Sequence, residues 1–524
     1  MSTDVLYACS SEAELLAHAL RSRPDNIAIR EGDAQITYRE LEHEISRYSQ
    51  ALASLGVRRG DRVGLLSGNR VEVIFVNAAL SMLGCCLVPM HPKGSLRDHR
   101  YFVRDADLKT LIFDSAIFAS RAAELLESGL QTLIALGEAP QAHNLPELAK
   151  SHAPAPLRPP AVAPDDMCRL SYSGGTTGEP KAIIGTYLSM LTKITIQLIE
   201  WEWPTQIRQL LCAPLSHAGG AMVLPTLVRG GSVVIMPGFN ALEVMRAIER
   251  YRINCVLLVP TMIAALLDHP ELDQHDLSSL EAIYYGAAPM SPARLREGIA
   301  KLGSIFFQFY GQTESPLTVT VMRRDEHDVN DPERLASCGR PVPWVRVALL
   351  DDAGHEVTDG VPGEICVRGP LVMQGYWNKP EQTREALQGG WLHTGDMAVR
   401  NSDGFLRIVD RKKDMIISGG FNVFAREVEE AVCEHPAVAS CAVFGVPDPH
   451  WGEAVVAAVV LRPGAQVAAE EIITLVKHSK GSVQAPKFVD FLTELPLTSL
   501  GKPDKKALRA ARAVGGISNR THTT

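Results

Sequence analysis

The sequence predicts an α/β protein with a large N-terminal domain of helix-covered, mostly parallel sheets, a small β-barrel-like subdomain and a small α+β C-terminal domain. Three observations lead to this prediction. Short apolar runs alternate with helical periodicities over the first 400 residues. From about residue 337 the apolar runs are separated by Asp/Gly turns. After residue 410, helix and strand patterns mix within one shorter segment.

The first elements of the large domain follow a crossover pattern. Apolar runs at 62–66 and 86–90 flank a helical pattern at 70–83, which predicts a βαβ unit. Because such units place parallel strands side by side with helices on the faces, a mostly parallel sheet is expected. The alternation continues with predicted strands at 110–113, 233–236, 255–259 and 282–285 and a predicted helix at 241–251.

The pattern changes in the last third of the chain. The β-rich subdomain is predicted from short strands at 345–350, 364–367 and 406–409. The C-terminal domain is predicted to hold a helix at 425–435, strands at 438–446 and 453–461, and a helix at 469–480. We therefore expect an N-terminal domain at 1–409 with its β-rich part at 337–409, a linker at 410–413, and a C-terminal domain at 414–524 with a disordered tail at 514–524.

The composition indicates a globular protein of the cytoplasm. A net charge of −8 provides no basic field for nucleic acid. The N-terminus lacks the basic flank and apolar core of a secretory signal, and polar residues interrupt the apolar stretches at 74–90 and 253–267, so no membrane span is predicted. The ten cysteines show no CxxC spacing and are expected to be buried and reduced, without a zinc site.

Residues 171–182, SYSGGTTGEPKA, have the composition of a phosphate-binding loop. Its glycines permit positive φ and leave N–H groups free to face an anion, while hydroxyls and an ammonium add donors. Neither the spacing of a Walker A loop nor a G-x-S-x-G elbow is present, and composition alone leaves a flexible surface turn equally open. The expected phosphate ligands are Ser173, Gly174, Gly175, Thr176, Thr177, Gly178 and Lys181.

Further motifs follow this loop in order. They are APLSHAGG at 213–220, YGAAP at 285–289, YGQTE at 310–314, GWLHTGD at 390–396, DRKKDMIISGGFNV at 410–423 and PLTSLGKPDK at 496–505. Together with the loop they resemble the adenylate-forming superfamily of acyl-CoA synthetases, peptide-synthetase adenylation domains and firefly luciferase. The similarity extends over most of the chain and is greatest to the acyl-CoA ligases.

The resemblance implies a reaction in two steps. A carboxylic acid reacts with ATP to give acyl-AMP and pyrophosphate, and the acyl group then passes to CoA as a thioester. Residues 1–409 would form the AMP-binding domain, 410–413 a hinge with Lys413 at the pivot, and 414–524 a mobile lid. Negative charge gathers around phosphorus in the first step, so Mg²⁺ is expected as a cofactor in addition to ATP and CoA.

The resemblance also implies roles for individual residues. Catalytic roles are implied for Thr313 at the α-phosphate, Glu314 as the metal ligand, His217 beside the carboxylate and Lys502 between carboxylate and α-phosphate. The implied ATP and AMP contacts are Tyr310 against adenine, Asp396 and Arg411 at the ribose, and Gly286, Ala287, Ala288, Pro289 and Gly311. Considered without the family, Glu314 reads as a solvated carboxylate and Lys502 as a surface lysine.

The acceptor and the acid are predicted more coarsely. Gly419 and Gly420 match the glycine loop beside pantetheine, and CoA is favoured because no carrier-protein module follows Lys505 in this sequence. Residues 207–223 contain no Asp or Glu, which disfavours an amino acid substrate. An aryl, medium-chain or bulky alicyclic acid suits the expected pocket, whose candidates are His217, Gly219, Val223, Tyr285, Gly286, Leu317 and Val319.

Several alternatives stay open at this point. The chain could load a carrier protein as a stand-alone adenylation enzyme, perform one half-reaction, or bind nucleotide without catalysis. A homodimer is also left open. Two positions depart from the family pattern: Gly174 replaces a common Ser or Thr, and Ala182 replaces a glycine. The second change adds a methyl group where the chain packs tightly, which could slow adenylation.

Overall fold

The structure is a computed structural model and describes residues 11–172, 180–449, 451–497 and 503–513. The described chain divides into two compact units. The first unit takes in the chain up to Arg346 together with Val367–Leu392, and the second takes in Val347–Cys366 and the chain from His393 onward. The domain boundaries drawn from the sequence stay predictions.

The strands of the first unit alternate with its helices. The strands are β1 (Ile27–Glu31), β2 (Ala34–Thr37), β3 (Arg62–Leu66), β4 (Cys86–Met90), β5 (Thr110–Phe113), β6 (Thr132–Ala135), β7 (His143–Asn144), β8 (Met167–Tyr172), β9 (Ala182–Thr186), β10 (Arg208–Leu211), β11 (Ser232–Ile235), β12 (Cys255–Leu258), β13 (Ala282–Gly286), β14 (Phe306–Gln312), β15 (Ser315–Met322) and β16 (Arg340–Pro341). The helices are α1 (Glu12–Ser22), α2 (Tyr38–Ser54), α3 (Val71–Leu83), α4 (Leu96–Asp105), α5 (Ser115–Leu126), α6 (Leu145–Lys150), α7 (Tyr187–Glu200), α8 (Val223–Val228), α9 (Ala241–Tyr251), α10 (Pro260–Leu267), α11 (Pro292–Leu302), α12 (Pro332–Leu335) and α13 (Pro380–Ala386).

These strands form two sheets whose central members are parallel. The seven-stranded sheet has the order β7-β6-β5-β3-β4-β8-β9, and only β9 is antiparallel to its neighbour. The nine-stranded sheet has the order β16-β15-β14-β13-β12-β10-β11-β1-β2, with antiparallel pairs at its two ends. The predicted βαβ unit is confirmed as β3, α3 and β4.

The second unit contains a four-stranded sheet and the C-terminal α+β part. The sheet follows the order β17-β18-β19-β20, and the C-terminal sheet the order β22-β21-β24-β23, with β25 beside β24. These elements are β17 (Arg346–Leu350), β18 (Gly363–Arg368), β19 (Leu392–Arg400), β20 (Leu406–Arg411), β21 (Ile416–Ser418), β22 (Phe421–Val423), α14 (Ala425–Cys433), β23 (Val438–Asp448), β24 (Gly452–Leu461), α15 (Ala469–Lys480), β25 (Phe488–Leu492) and α16 (Lys505–Ala513).

The predicted α/β class is confirmed by this architecture. The strands and helices that periodicity predicted, among them β3, β4, β5, β11, β12 and β13, lie within about two residues of their observed bounds. Other strands of these two sheets were not predicted, both parallel members such as β6, β10 and β14 and the antiparallel strands β2, β9, β15 and β16. Among the described residues, no helix is both long and apolar enough to cross a bilayer.

Candidate active site

Three of the predicted motifs emerge at one edge of the nine-stranded sheet. Because β10, β12, β13 and β14 are parallel neighbours, their carboxyl ends lie side by side. The motif at 213–220 follows β10, the motif at 285–289 spans the end of β13, and the motif at 310–314 spans the end of β14. Segments far apart in sequence are thereby brought to the edge where ligands bind in open α/β sheets.

The predicted phosphate loop connects two paired strands of the other sheet. β8 ends at Tyr172 and β9 begins at Ala182, and these two residues are opposite one another in an antiparallel pair. The loop therefore leaves the carboxyl end of β8. Some predicted residues lie outside the described part of the chain: Ser173, Gly174, Gly175, Thr176, Thr177, Gly178 and Lys502.

Lys181, Tyr376 and Glu314 form a connected cluster in the first unit. The Tyr376 hydroxyl donates to Glu314 Oε1 at 3.0 Å, and the Lys181 Nζ lies 4.8 Å from the centre of the Tyr376 ring. Burial, together with the Glu314 carboxylate, raises the pKa of Tyr376, so the phenol stays protonated and remains a donor. The Met373 N–H fixes the Glu314 main chain by donating to its carbonyl at 2.8 Å.

Sequence reasoning identified Lys181 and Glu314 but missed Tyr376, which joins them. Its segment, QGYWN at 374–378, contains no group that suggests phosphate or metal chemistry by itself. Tyr376 lies three residues after Met373 and becomes significant only when the fold places its hydroxyl beside Glu314. No periodicity or spacing rule encodes that contact.

Thr313 borders a small cavity of about 20 Å³, which is the size that one water molecule requires. Arg169 and Ser171 of β8 line the same cavity. The Arg169 guanidinium donates to Ser171 Oγ at 3.1 Å and to the Ser216 carbonyl at 3.0 Å. Among the described residues it makes no ion pair, and burial lowers the pKa of Arg169. Arg169 was not among the site residues predicted from the sequence.

His217 follows Ser216, whose carbonyl accepts from Arg169. Its Nδ1 is 2.8 Å from Ser216 Oγ, and its ring packs edge-on against His91 with 4.7 Å between ring centres. The ring remains accessible to water. Desolvation by the surrounding protein, followed by the effects of His91 and Arg169, lowers the pKa of His217. At neutral pH the imidazole is therefore uncharged and can offer one hydrogen-bond donor and one acceptor.

Close backbone approach explains three predicted glycines. A Cβ on Gly286 would lie 2.3 Å from the Phe309 carbonyl oxygen, and one on Gly219 would lie 2.4 Å from the Ala213 carbonyl oxygen. A Cβ on Gly311 would lie 2.5 Å from the backbone nitrogen of Leu317. These glycines are required by packing, whether or not they also contact a ligand.

Two predicted site residues that are not glycine have a left-handed backbone. Ala287 has φ of 64° and Leu317 has φ of 62°. This region costs of order 1 kcal/mol or more for such residues, and it persists where the surroundings enforce it. Ala287 and Pro289 are exposed, and Ala288 is partly buried. Ala287 lies in the loop of the motif at 285–289, and Leu317 lies in β15 just after the motif at 310–314.

The acyl-pocket candidates differ in burial. Tyr285 is fully buried in a hydrophobic cluster, and its hydroxyl lies 2.9 Å from His327 Nε2. Val319 is also fully buried, whereas Val223 and Leu317 are partly buried. Pocket membership stays a prediction for all of them, and Tyr285 already has a structural role in the core.

In the second unit, the two predicted ribose ligands are joined to each other. Asp396 on β19 lies opposite Arg411 on β20, and Arg411 Nε is 2.7 Å from Asp396 Oδ1. Asp396 is 3% exposed, whereas Arg411 is exposed. The carboxylate is thus held in one orientation by a charge-assisted contact before any ligand binds.

Glu364 supports this segment and was missed by the sequence analysis. Its Oε1 accepts the Gly395 N–H at 2.9 Å, and its Oε2 lies 3.0 Å from His393 Nδ1 and 3.2 Å from Lys412 Nζ. Burial opposes the charge, yet these partners hold the pKa of Glu364 below its usual value. Cys366 completes a group with metal-ligand atoms within 4.8 Å of each other, but the Lys412 ammonium already supplies the positive charge there.

Gly419 and Gly420 connect β21 and β22 in a two-residue turn. Both have positive φ, 59° and 81°, as a tight hairpin of this kind requires. The Gly419 N–H donates to the Trp451 carbonyl at 2.7 Å. The Trp451 indole is 36% exposed, and Lys487 Nζ lies 4.7 Å from its ring centre. Lys413, the predicted pivot, is exposed.

Comparison with known proteins agrees with these features. The profile of the family described as AMP-binding enzyme matches residues 16–377, and that of the AMP-binding enzyme C-terminal domain matches residues 427–502. The chain is 48% identical to the medium/long-chain-fatty-acid–CoA ligase FadD8 of Mycobacterium tuberculosis, over 98% of this chain and 93% of the relative. It is 36% identical to a feruloyl-CoA synthase of an Amycolatopsis species, over 93% and 96% of the two chains.

A solved structure also resembles this chain. The amide bond synthetase McbA from Marinactinospora thermotolerans is 32% identical and superposes with a TM-score of 0.88, covering 96% of this chain and 99% of the other. The parallel sheets with their ordered motif loops define an adenylate-forming enzyme. The chain belongs to the AMP-binding enzyme family. The resemblance found in the sequence is confirmed.

Proposed function

We propose that the protein is an AMP-forming acyl-CoA ligase, which converts a carboxylic acid, ATP and CoA into acyl-CoA, AMP and pyrophosphate. The observation that carries the proposal is the meeting of three motif loops at one carboxyl edge of the nine-stranded sheet. The names of the relatives support CoA as the acceptor, since both a fatty-acid–CoA ligase and a feruloyl-CoA synthase align over nearly the whole chain.

In the first step the carboxylate attacks the α-phosphorus of ATP and pyrophosphate leaves. The neutral His217 would position the carboxylate, and Thr313, Lys181 and Lys502 would donate to the phosphate oxygens as charge develops. Asp396 and Arg411 would hold the ribose, with Tyr310 and residues 286–289 around the adenine. Each of these roles is a proposal drawn from the motif positions.

Glu314 fits a magnesium ion. Its carboxylate is partly exposed, and the Tyr376 hydroxyl fixes one oxygen at 3.0 Å, which presents the group as an oriented hard-oxygen ligand. Mg²⁺ held there would neutralise charge on the phosphate oxygens. The Tyr376 hydroxyl orients Glu314 by donating a hydrogen bond to it. Because burial and the Glu314 carboxylate raise the pKa of Tyr376, the phenol keeps the proton that this hydrogen bond needs.

The second step transfers the acyl group from AMP to the CoA thiol. We assign it to the segment around Gly419 and Gly420, presented after rotation at Lys413. Trp451 and Lys487 lie beside this turn and offer an exposed aromatic face and an ammonium. The aromatic face suits a nucleobase, which CoA carries and the phosphopantetheine arm of a carrier protein lacks, and the ammonium suits a phosphate, which both carry.

The acid is proposed to be apolar, with an aryl group or a medium to long chain. The candidates Val223, Leu317 and Val319 are all apolar. Arg169, which makes no ion pair among the described residues, would attract the single carboxylate towards His217.

An ATP and CoA assay across a panel of carboxylic acids tests this function. We expect acid-dependent pyrophosphate exchange without CoA, and acyl-CoA with AMP when CoA is added. Exchange without any acyl-CoA product would favour loading of a carrier protein instead, and no exchange with any acid would favour the non-catalytic relative. The cytoplasmic location and the homodimer stay predictions that fractionation and sedimentation would check.

A further inference from the structure

Two cysteines of the second unit lie in contact. Cys433 ends α14 and Cys441 lies on β23, and their sulfur atoms are 3.5 Å apart. The Cys441 Sγ also lies 3.4 Å from the Glu429 carbonyl oxygen. Glu429 and Cys433 are four residues apart and therefore share the face of α14 that packs against β23.

The two thiols have different surroundings. Cys433 is exposed, whereas Cys441 is 8% exposed. A hydrogen bond from the Cys441 thiol lowers the pKa of Cys433, and the same contact together with burial raises the pKa of Cys441. One member of the pair is therefore accessible and inclined to ionise, and its neighbour is a protected thiol held within reach.

The other described cysteines differ from Cys433. All of them are buried: Cys85, Cys86, Cys168, Cys212, Cys255, Cys338, Cys366 and Cys441. Burial raises the pKa of several of these thiols, Cys85 and Cys366 to about 12. Among the described residues, an oxidant in water thus meets Cys433 first. This corrects the expectation that all cysteines are buried.

We propose that Cys433 and Cys441 form a site of reversible oxidation that closes to a disulfide when the protein meets a peroxide. The Cys433 thiolate attacks one peroxide oxygen, which breaks the O–O bond and gives a sulfenic acid and hydroxide. The Cys441 sulfur then attacks the sulfenic sulfur, forms the S–S bond and releases water. Two thiols and one hydrogen peroxide give one disulfide and two waters.

The pair adjoins a network of charges in which Asp410 is buried and Glu429 and Lys505 are partly buried. The Glu429 carboxylate accepts the Val443 N–H at 2.8 Å and pairs with Lys505 Nζ at 2.8 Å. The charge of Asp410 also acts on Lys505 and helps to raise its pKa. Burial raises the pKa of Asp410 itself to about 6. Closing the disulfide draws the end of α14 towards β23 and shifts Glu429, the partner of Lys505. Lys505 follows Lys502 by three residues in the sequence, so a shift at Lys505 is expected to displace Lys502 as well. Because Lys502 is assigned to adenylation, oxidation should slow that step; this consequence rests on the proposed function.

Thiol counting with peptide mapping tests the site in the full chain. After treatment with hydrogen peroxide, we expect two thiols per chain to disappear and to return on addition of dithiothreitol. Cleavage after Glu434 separates Cys433 from Cys441, so the two peptides remain linked only if the disulfide has formed. In the variant Cys433→Ser, the remaining thiols should stay reduced during the same peroxide treatment. The variant Cys366→Ser should lose two thiols and form the linked peptides, as the wild type does.

The variant Cys441→Ser distinguishes the order of events. It should accumulate a sulfenic acid at Cys433 that dimedone traps, without linked peptides. Persistence of both thiols in the wild type, or direct conversion of Cys433 to sulfinic acid without linked peptides, would overturn the site. Linkage of Cys433 to a different cysteine would overturn the pairing.

A rate measurement tests the coupling separately. We expect pyrophosphate exchange of the oxidised wild type to fall at least about 3-fold and to recover with dithiothreitol, while Cys433→Ser is unaffected by peroxide. An unchanged rate with the disulfide formed would overturn the coupling to Lys505. Absence of exchange before oxidation would instead count against the proposed function and leave the thiol result standing.

Discussion

Lys181, Tyr376 and Glu314 of the first unit are held by contacts to one another, whereas Gly419 and Gly420 of the second unit are exposed in a turn beside Trp451. The first arrangement suits a step in which charge develops at fixed positions, because donors that are already oriented need no reorganisation. The exposed turn of the second unit suits the approach of a flexible thiol, for which open space matters more than charge. The difference implies that substitutions in the two regions should affect separate half-reactions.

The largest effect is expected for Lys502→Ala. Loss of one transition-state donor should lower pyrophosphate exchange by at least ~10²-fold. Thioester formation from supplied acyl-AMP should remain within a few-fold of the wild type, because the proposed mechanism uses this ammonium only in adenylation. Rapid-quench measurement of both half-reactions checks the division. Equal losses in both would mean that Lys502 does not act in adenylation alone.

The next effect is expected for Gly419→Leu. A leucine at φ of 59° is strained, and its Cβ would lie 3.2 Å from the Trp451 ring. We expect thioester formation to fall by about 10-fold or more while pyrophosphate exchange is retained. Gly464→Leu is the matched control, since Gly464 has φ of 77° with open space around it. If the control loses thioester formation equally, general destabilisation rather than clearance is the cause.

A smaller effect is expected for Tyr376→Phe. The phenylalanine keeps a ring for Lys181 but removes the hydrogen bond to Glu314, and a bond to a charged group contributes about 1.5–3 kcal/mol. The Mg²⁺ concentration that half-saturates pyrophosphate exchange should rise about 10-fold, and binding of Mn²⁺ followed by magnetic resonance should weaken likewise. Tyr376→Leu should add a loss from the cation–π contact. An unaltered metal dependence would show that Tyr376 does not orient Glu314.

The smallest effect concerns Ala182. Its side chain is fully buried within a hydrophobic cluster beside the phosphate loop, so the methyl group has a place in the core. Ala182→Gly should reduce stability by about 1–2 kcal/mol through lost burial and added backbone freedom. Adenylation should stay within about 2-fold of the wild type. A marked acceleration in the glycine variant would instead support the expectation that Ala182 slows the reaction.

The sequence determined the α/β class and the identity of the motif residues. Periodicity of 2 and 3.6 records burial on strands and helices, and β3, α3 and β4 were located from it. The motif at 310–314 identified Glu314, because its residue types and order are local information. The loop at 171–182 was identified in the same way, although residues 173–179 lie outside the described part of the chain.

Only the tertiary structure decided which distant residues meet. Tyr376 contacts Glu314 across 62 positions, Arg169 reaches the Ser216 carbonyl across 47, and Cys433 meets Cys441 because α14 packs against β23. The structure also showed that Asp396 and Arg411 pair with each other. Such contacts follow from strand register and helix packing, which depend on the whole core and leave no periodic pattern at the residues themselves.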